Sequence, residues 1–161
     1  MQVSHLYQLS KGNMLIKSLH LILSIIFATV LVVLQTTLSN LFWLSSVDMP
    51  ISAVVFFNTF FGDLLGMNFG GAIPLVGLIG VGMLIAYSVT KILLIWVNAK
   101  KSFAYGLAGA ATILALVLLM PLAFYNLDLI AGARTALGKT ILILCGFFSG
   151  YYFGSKIEDK E

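Results

Sequence analysis

The residues best suited to chemistry are three aspartates and two cations: Asp48, Asp63, Asp128, Arg134 and Lys139. All fall in connections on one side of a largely apolar chain. Paired carboxylates can work as general acid and base or hold a cation, and Asp63 with Asp128 is the pair that would serve an intramembrane hydrolase. The same residues also make an ion-pair set. The guanidinium fork of Arg134 can hold Asp63 or Asp128 in two bonds and so pin two connections together. Structural pairing is the expectation; Asp63, Asp128 and Arg134 are ligand or ion-pair candidates, and no residue is assigned as catalytic.

A second chemical motif is suggested by Ala133-Arg134-Thr135-Ala136-Leu137-Gly138-Lys139-Thr140, which differs from a phosphate-binding loop mainly by alanine in place of the first glycine. That chemistry needs the loop between a strand and a helix. Here it joins two apolar segments, so Gly132 and Gly138 are read as shaping a turn, with Lys139 snorkelling outward. Cys145 is the single cysteine and lies inside an apolar run, which excludes an intrachain disulfide and dithiol redox chemistry. His5 and His20 have no second histidine at ligand spacing, so no metal and no cofactor is expected.

The elements carrying these residues are set by composition. The chain has 161 residues, of which 60% are hydrophobic and 9% charged, and a mean hydropathy of +1.06. A soluble domain carries about 25% charged residues, so lipid must solvate much of this surface. The formal charge of +3 comes from few, scattered basic residues, which argues against nucleic acid as a partner. Four segments approach the roughly 20 residues needed to cross a bilayer: about 17–38, 72–97, 103–125 and 136–154. The first is read as an uncleaved transmembrane helix, since its apolar run exceeds a signal-peptide core and no A-x-A site follows. No Asp, Glu or His falls at mid-span, which weakens a coupled-transport reading.

With an even number of spans both termini share one side. That side holds Lys11, Lys17, Lys91, Lys100, Lys101, Lys156 and Lys160, against Arg134 and Lys139 opposite, so both termini are expected in the cytoplasm. The long outer connection is predicted to form a helix over about 50–66, opened by Asp48 and Pro50. On it Asp48, Ser52, Thr59, Gly62, Asp63 and Gly66 fall within about 100° of one another, a narrow polar stripe on an apolar helix that is either interfacial or re-entrant. Phe42 and Trp43 just before it suit an interfacial belt.

In the last span Gly146, Gly150 and Gly154 recur every four residues, which lays bare backbone along one face and invites close approach of another helix. These are the helix-packing candidates, with the protein's own third or second span as the first partner considered. The stretch Ile130-Ala131-Gly132-Ala133-Arg134 leading into Gly138 and that run resembles the ending of a family of small four-span bacterial inner-membrane proteins with no assigned activity. The resemblance implies a bacterial inner-membrane location. Lipoprotein signal peptidases share the length and the outer aspartates, but their motifs near the third and fourth spans are absent here.

The chain is therefore read as one integral membrane domain, an all-α four-helix transmembrane bundle with an additional outer helix. The function expected is a non-enzymatic accessory or assembly component whose partners are membrane lipids and either a membrane protein or further copies of itself. A small transporter or pore formed by oligomerisation is the alternative.

Overall fold

The computed structural model describes the backbone of residues 2–70, 73–123 and 130–158, and the side chains of 14–70, 73–122 and 130–158. Asp128 lies outside the described residues. The elements are α1 (Gln2–Ser46), α2 (Ala53–Phe69), α3 (Leu75–Trp96), α4 (Lys101–Ala123), a 3-10 turn (Ala131–Arg134) and α5 (Ala136–Glu158). The fold is an all-α bundle. Four of its helices are long and apolar enough to cross a membrane: Met14–Ser46, Leu75–Trp96, Lys101–Leu122 and Ala136–Glu158. We call the end of the bundle away from the two termini the distal end.

The first span does not stop at Leu38. Between Asn13 and Ser46 there is neither glycine nor proline to break the hydrogen-bond ladder, so α1 continues two further turns past the apolar run. It ends where Asp48 takes a left-handed conformation (φ 57°) and the Met49 N–H reaches back to the Leu44 carbonyl at 3.2 Å, the closing bond of a Schellman motif. The role expected for Asp48 is thereby corrected. It terminates α1 instead of opening the next helix. The cap of α2 is Ser52, whose Oγ accepts the Val55 N–H at 3.3 Å. Aspartate and serine both favour caps, and local sequence alone does not separate a helix exit from a helix entry four residues later.

α2 has 17 residues, about 25 Å at 1.5 Å per residue, and none of them is buried. Phe60, Leu64 and Met67 rest on the core from one side. Its far end is tied to α3 by Asn68, whose Oδ1 accepts the Val76 N–H at 2.9 Å while its Nδ2 donates to the Leu64 carbonyl at 2.8 Å. α3 begins after Pro74, whose φ of −62° suits helix entry and whose missing N–H costs nothing there.

The core forms where α1, α3, α4 and α5 meet, around Val32, Ile79, Met83, Ile113, Val117 and Leu142. Outside it, large apolar side chains face away from the bundle, among them Leu23, Ile85, Ile92, Leu107, Leu119 and Phe148. In water such a surface would aggregate; in a bilayer it is the solvated face. Two exposed tryptophans mark the rims, Trp43 toward the end of α1 and Trp96 at the opposite end of the bundle. The 22 residues of α3 span about 33 Å, close to a hydrocarbon core of about 30 Å. The chain is a multi-pass membrane protein on these grounds.

Candidate functional site

Four places on the bundle hold the residues that sequence singles out or passes over. The first is the glycine run. α4 and α5 share the most extensive interface of any two elements. A Cβ added at Gly150 would overlap the Tyr105 carbonyl, one at Gly146 the Gly109 carbonyl, and one at Gly154 would lie 2.7 Å from both Lys101 O and Ser102 Cα. Gly109 on α4 answers in kind, against Gly146. The contact is backbone on backbone, with small residues on both helices. At its end Glu158 Oε2 accepts the Ser102 N–H at 3.4 Å and caps the start of α4. Gly146, Gly150 and Gly154 thus face α4, the third span, within the same chain.

Beside this seam lies a polar node that sequence reasoning missed. Ser24 of α1, Tyr87 of α3 and Ser149 of α5 join three helices. Ser24 Oγ is 3.1 Å from Tyr87 Oη and 3.0 Å from Ser149 Oγ, and Ser149 Oγ donates to the Ser24 carbonyl at 2.5 Å. Both serines are fully buried. Tyr87 stacks on Phe153 with centroids 4.7 Å apart and meets the ring of Tyr105 edge-on at 5.4 Å. Hydroxyls in hydrocarbon need partners, and here each finds one on another helix.

The third place is the distal charge set. Asp63 Oδ2 accepts the hydroxyl proton of Thr37 at 2.8 Å, which fastens α2 to a fully buried position on α1. Arg134 is exposed and lines a cleft beside Gln35. Gln35 and Thr37 are two residues apart, about 200° around the helix axis, so Asp63 and Arg134 sit on opposite sides of α1. No ion pair joins them among the described residues. The Arg134–Asp63 pairing considered from sequence gives way to this Thr37 anchor, because α1 stands between the two groups. The carboxylate of Asp63 is engaged by Thr37, and its sequence partner Asp128 lies outside the described residues. No group of three or more His, Cys, Asp or Glu suited to a metal ion occurs among the described residues.

The loop resembling a phosphate cradle is a turn and a cap. Thr135 Oγ1 accepts the Gly138 N–H at 3.0 Å at the start of α5, and the Gly132 carbonyl occupies the space a side chain at Gly138 would need. Cys145 is half-buried, its Sγ 3.9 Å from the Leu31 carbonyl.

The fourth place is the outward face of α2. The polar stripe expected on this helix divides in two. Asp63 turns inward to Thr37, whereas Gly62 and Gly66 lie open, with nothing within 4 Å of a Cβ placed on either. Asn58 stands one turn before Gly62 and is also exposed, and its amide makes no hydrogen bond among the described residues. Asn58, Gly62 and Gly66 fall within about 80° of one another on the helix. Exposed Val54, Phe61, Leu65 and Phe69 border them. The four-residue glycine spacing matches that of the closed α4–α5 seam. Sequence reasoning grouped these glycines with the polar residues, although their spacing alone carried the packing signal.

Comparison with protein-family models, with curated proteins and with solved structures finds no match to this chain. Function is therefore argued from these surfaces.

Proposed function

We propose that this protein is a non-enzymatic accessory or assembly component of a bacterial inner membrane, which binds a transmembrane helix of another membrane protein on the outward face of α2. The basic residues support a cytoplasmic placement of both termini, since seven lysines flank the terminal end and Arg134 and Lys139 the distal end. One observation carries the reading: Gly62 and Gly66 form a small-residue track with no helix on it, while the equivalent track on α5 is filled by α4. Asn58 adds direction. An unpaired amide among Val54, Phe61 and Leu65 finds no acceptor or donor in lipid tails, and a polar group on a facing helix satisfies it. α2 is also held by polar anchors to α1 at Asp63 and to α3 at Asn68, so its open face is presented in a fixed orientation. Preorganisation of this kind lowers the ordering cost of association.

The test exploits the open space at Gly62. A Cβ at exposed Gly62 meets nothing within 4 Å, so Gly62→Leu should leave the melting temperature within about 2 °C of wild type. Purification in mild detergent followed by mass spectrometry should recover a stoichiometric membrane protein with the wild-type chain and lose it with Gly62→Leu. An unchanged set of co-purifying proteins would overturn the reading. Recovery of a second copy of this chain alone, lost in the variant, would move the function to the small transporter or pore built by oligomerisation.

A further inference from the structure

On the other side of α1 from α2, a cleft of about 630 Å³ opens between the distal half of α1 and the start of α5. Its volume falls within the roughly 300–1,000 Å³ of ordinary small-molecule sites. The α1 wall runs from Leu31 to Trp43, about 18 Å at 1.5 Å per residue, comparable to the roughly 15 Å depth of one leaflet's hydrocarbon. Leu31, Leu34 and Leu38 make this wall apolar, and Leu137 and Ile141 line the cleft from α5. Cleft length and lining both suit an acyl chain lying parallel to α1.

The mouth has a different chemistry. Arg134 is exposed there with no ion pair among the described residues, and no described lining residue carries a carboxylate. Gln35 is only 7% exposed. Its Nε2 donates to Ser39 Oγ at 3.1 Å and to the Gly138 carbonyl at 3.5 Å, while its Oε1 has no donor. Ser39 Oγ accepts from Gln35 and Thr135 Oγ1 accepts from Gly138, which leaves both hydroxyl protons available. The mouth therefore offers one cation and two hydroxyl donors that lack acceptors among the described residues, while the Gln35 amide oxygen is packed against Gly132 behind it. A phosphodiester satisfies the cation, and ester carbonyls satisfy the hydroxyl protons.

We propose that this cleft binds one acidic diacyl phospholipid from the leaflet on the Arg134 side, with its phosphate on Arg134 and an acyl chain along Leu31 to Leu38. Charge complementarity selects the headgroup and the cleft length selects the chain. The site is separated from the α2 face by the body of α1, so its test is independent of the partner proposed above.

The protein is reconstituted with equal amounts of phosphatidylglycerol and phosphatidylethanolamine, extracted in mild detergent and weighed by native mass spectrometry. Wild type should retain one phosphatidylglycerol about tenfold over phosphatidylethanolamine, equivalent to roughly 1.4 kcal/mol. Arg134→Gln should bring the two lipids to near-equal retention with an unchanged melting temperature, since the side chain is exposed. Arg134→Lys should keep most of the preference, and Ser39→Phe, which fills the mouth, should lower retention of both lipids. Equal retention of the two lipids by wild type, an undiminished preference in Arg134→Gln, or capture of added palmitate ahead of phosphatidylglycerol would overturn the proposal.

Discussion

Replacing Gly150 with leucine should lower the melting temperature of the detergent-solubilised protein by about 6–12 °C. The new Cβ overlaps the Tyr105 carbonyl and lies 2.8 Å from Tyr105 C and 3.2 Å from the Gly106 Cα on the same facing helix, α4. Side-chain clashes can be relieved by a rotamer change; a backbone carbonyl in a helix cannot move without shifting the helix. The cost therefore lies at the upper end of overpacking penalties, about 3 kcal/mol, and each kcal/mol moves the melting temperature of a chain this size by roughly 2–4 °C. Helices in lipid gain little from burying apolar surface against each other, so close backbone packing is a large part of what joins α4 to α5. The oligomeric mass should stay the same, because this seam lies within one chain. Thermal melts with size measurement check both points. A variant that melts with wild type, or that loses copies of itself without losing stability, would place the seam between chains.

Ser24→Leu should be comparably damaging, at about 2–4 kcal/mol. The substitution removes the hydroxyl bonded to Tyr87 and Ser149 and forces a branched side chain into a site with no exposed area. Interhelical hydrogen bonds in bilayers average about 0.6 kcal/mol, so the lost bonds account for about 1 kcal/mol and overpacking for the remaining 1–3. Ser24→Ala separates the two contributions and should cost only about 1 kcal/mol. Ser18→Leu, on an exposed position of the same helix, should be close to neutral. The ranking Leu, then Ala, then the Ser18 control is measurable by thermal or chemical melts. Equal melting of all three variants and wild type would remove the node as a stabilising element.

The spans themselves were legible, because about 20 consecutive apolar residues are a direct consequence of bilayer thickness. Their ends were less so. α1 overran its apolar run because Ser39 to Ser46 contains no breaker, and hydropathy does not register helix continuation. Gly146, Gly150 and Gly154 announced a close contact through spacing alone, whereas the identity of α4 as the partner depends on how the bundle closes. Asp63 and Arg134 looked like partners because charge is visible in sequence. What separates them is the rotation of α1 between Gln35 and Thr37, a three-dimensional fact. Ser24 and Ser149 are 125 residues apart and unremarkable in their own spans. They become a unit only when α1 and α5 lie side by side. The open track on α2 was obscured because Gly62 and Gly66 counted as polar neighbours of Asp63, when the fold turns Asp63 inward and leaves the glycines outside.

Two glycine tracks of the same spacing therefore stand on this molecule, one closed within the chain and one open, which we propose receives another helix. Photo-crosslinking in intact membranes tests that division most directly. A benzophenone side chain placed at Leu65, beside Gly62 and Gly66, should yield a protein adduct of discrete mass. The same group at Ile92, equally exposed on α3 but remote from α2, should yield none. Lipid adducts alone from Leu65, or the same protein adducts from both positions, would contradict the account.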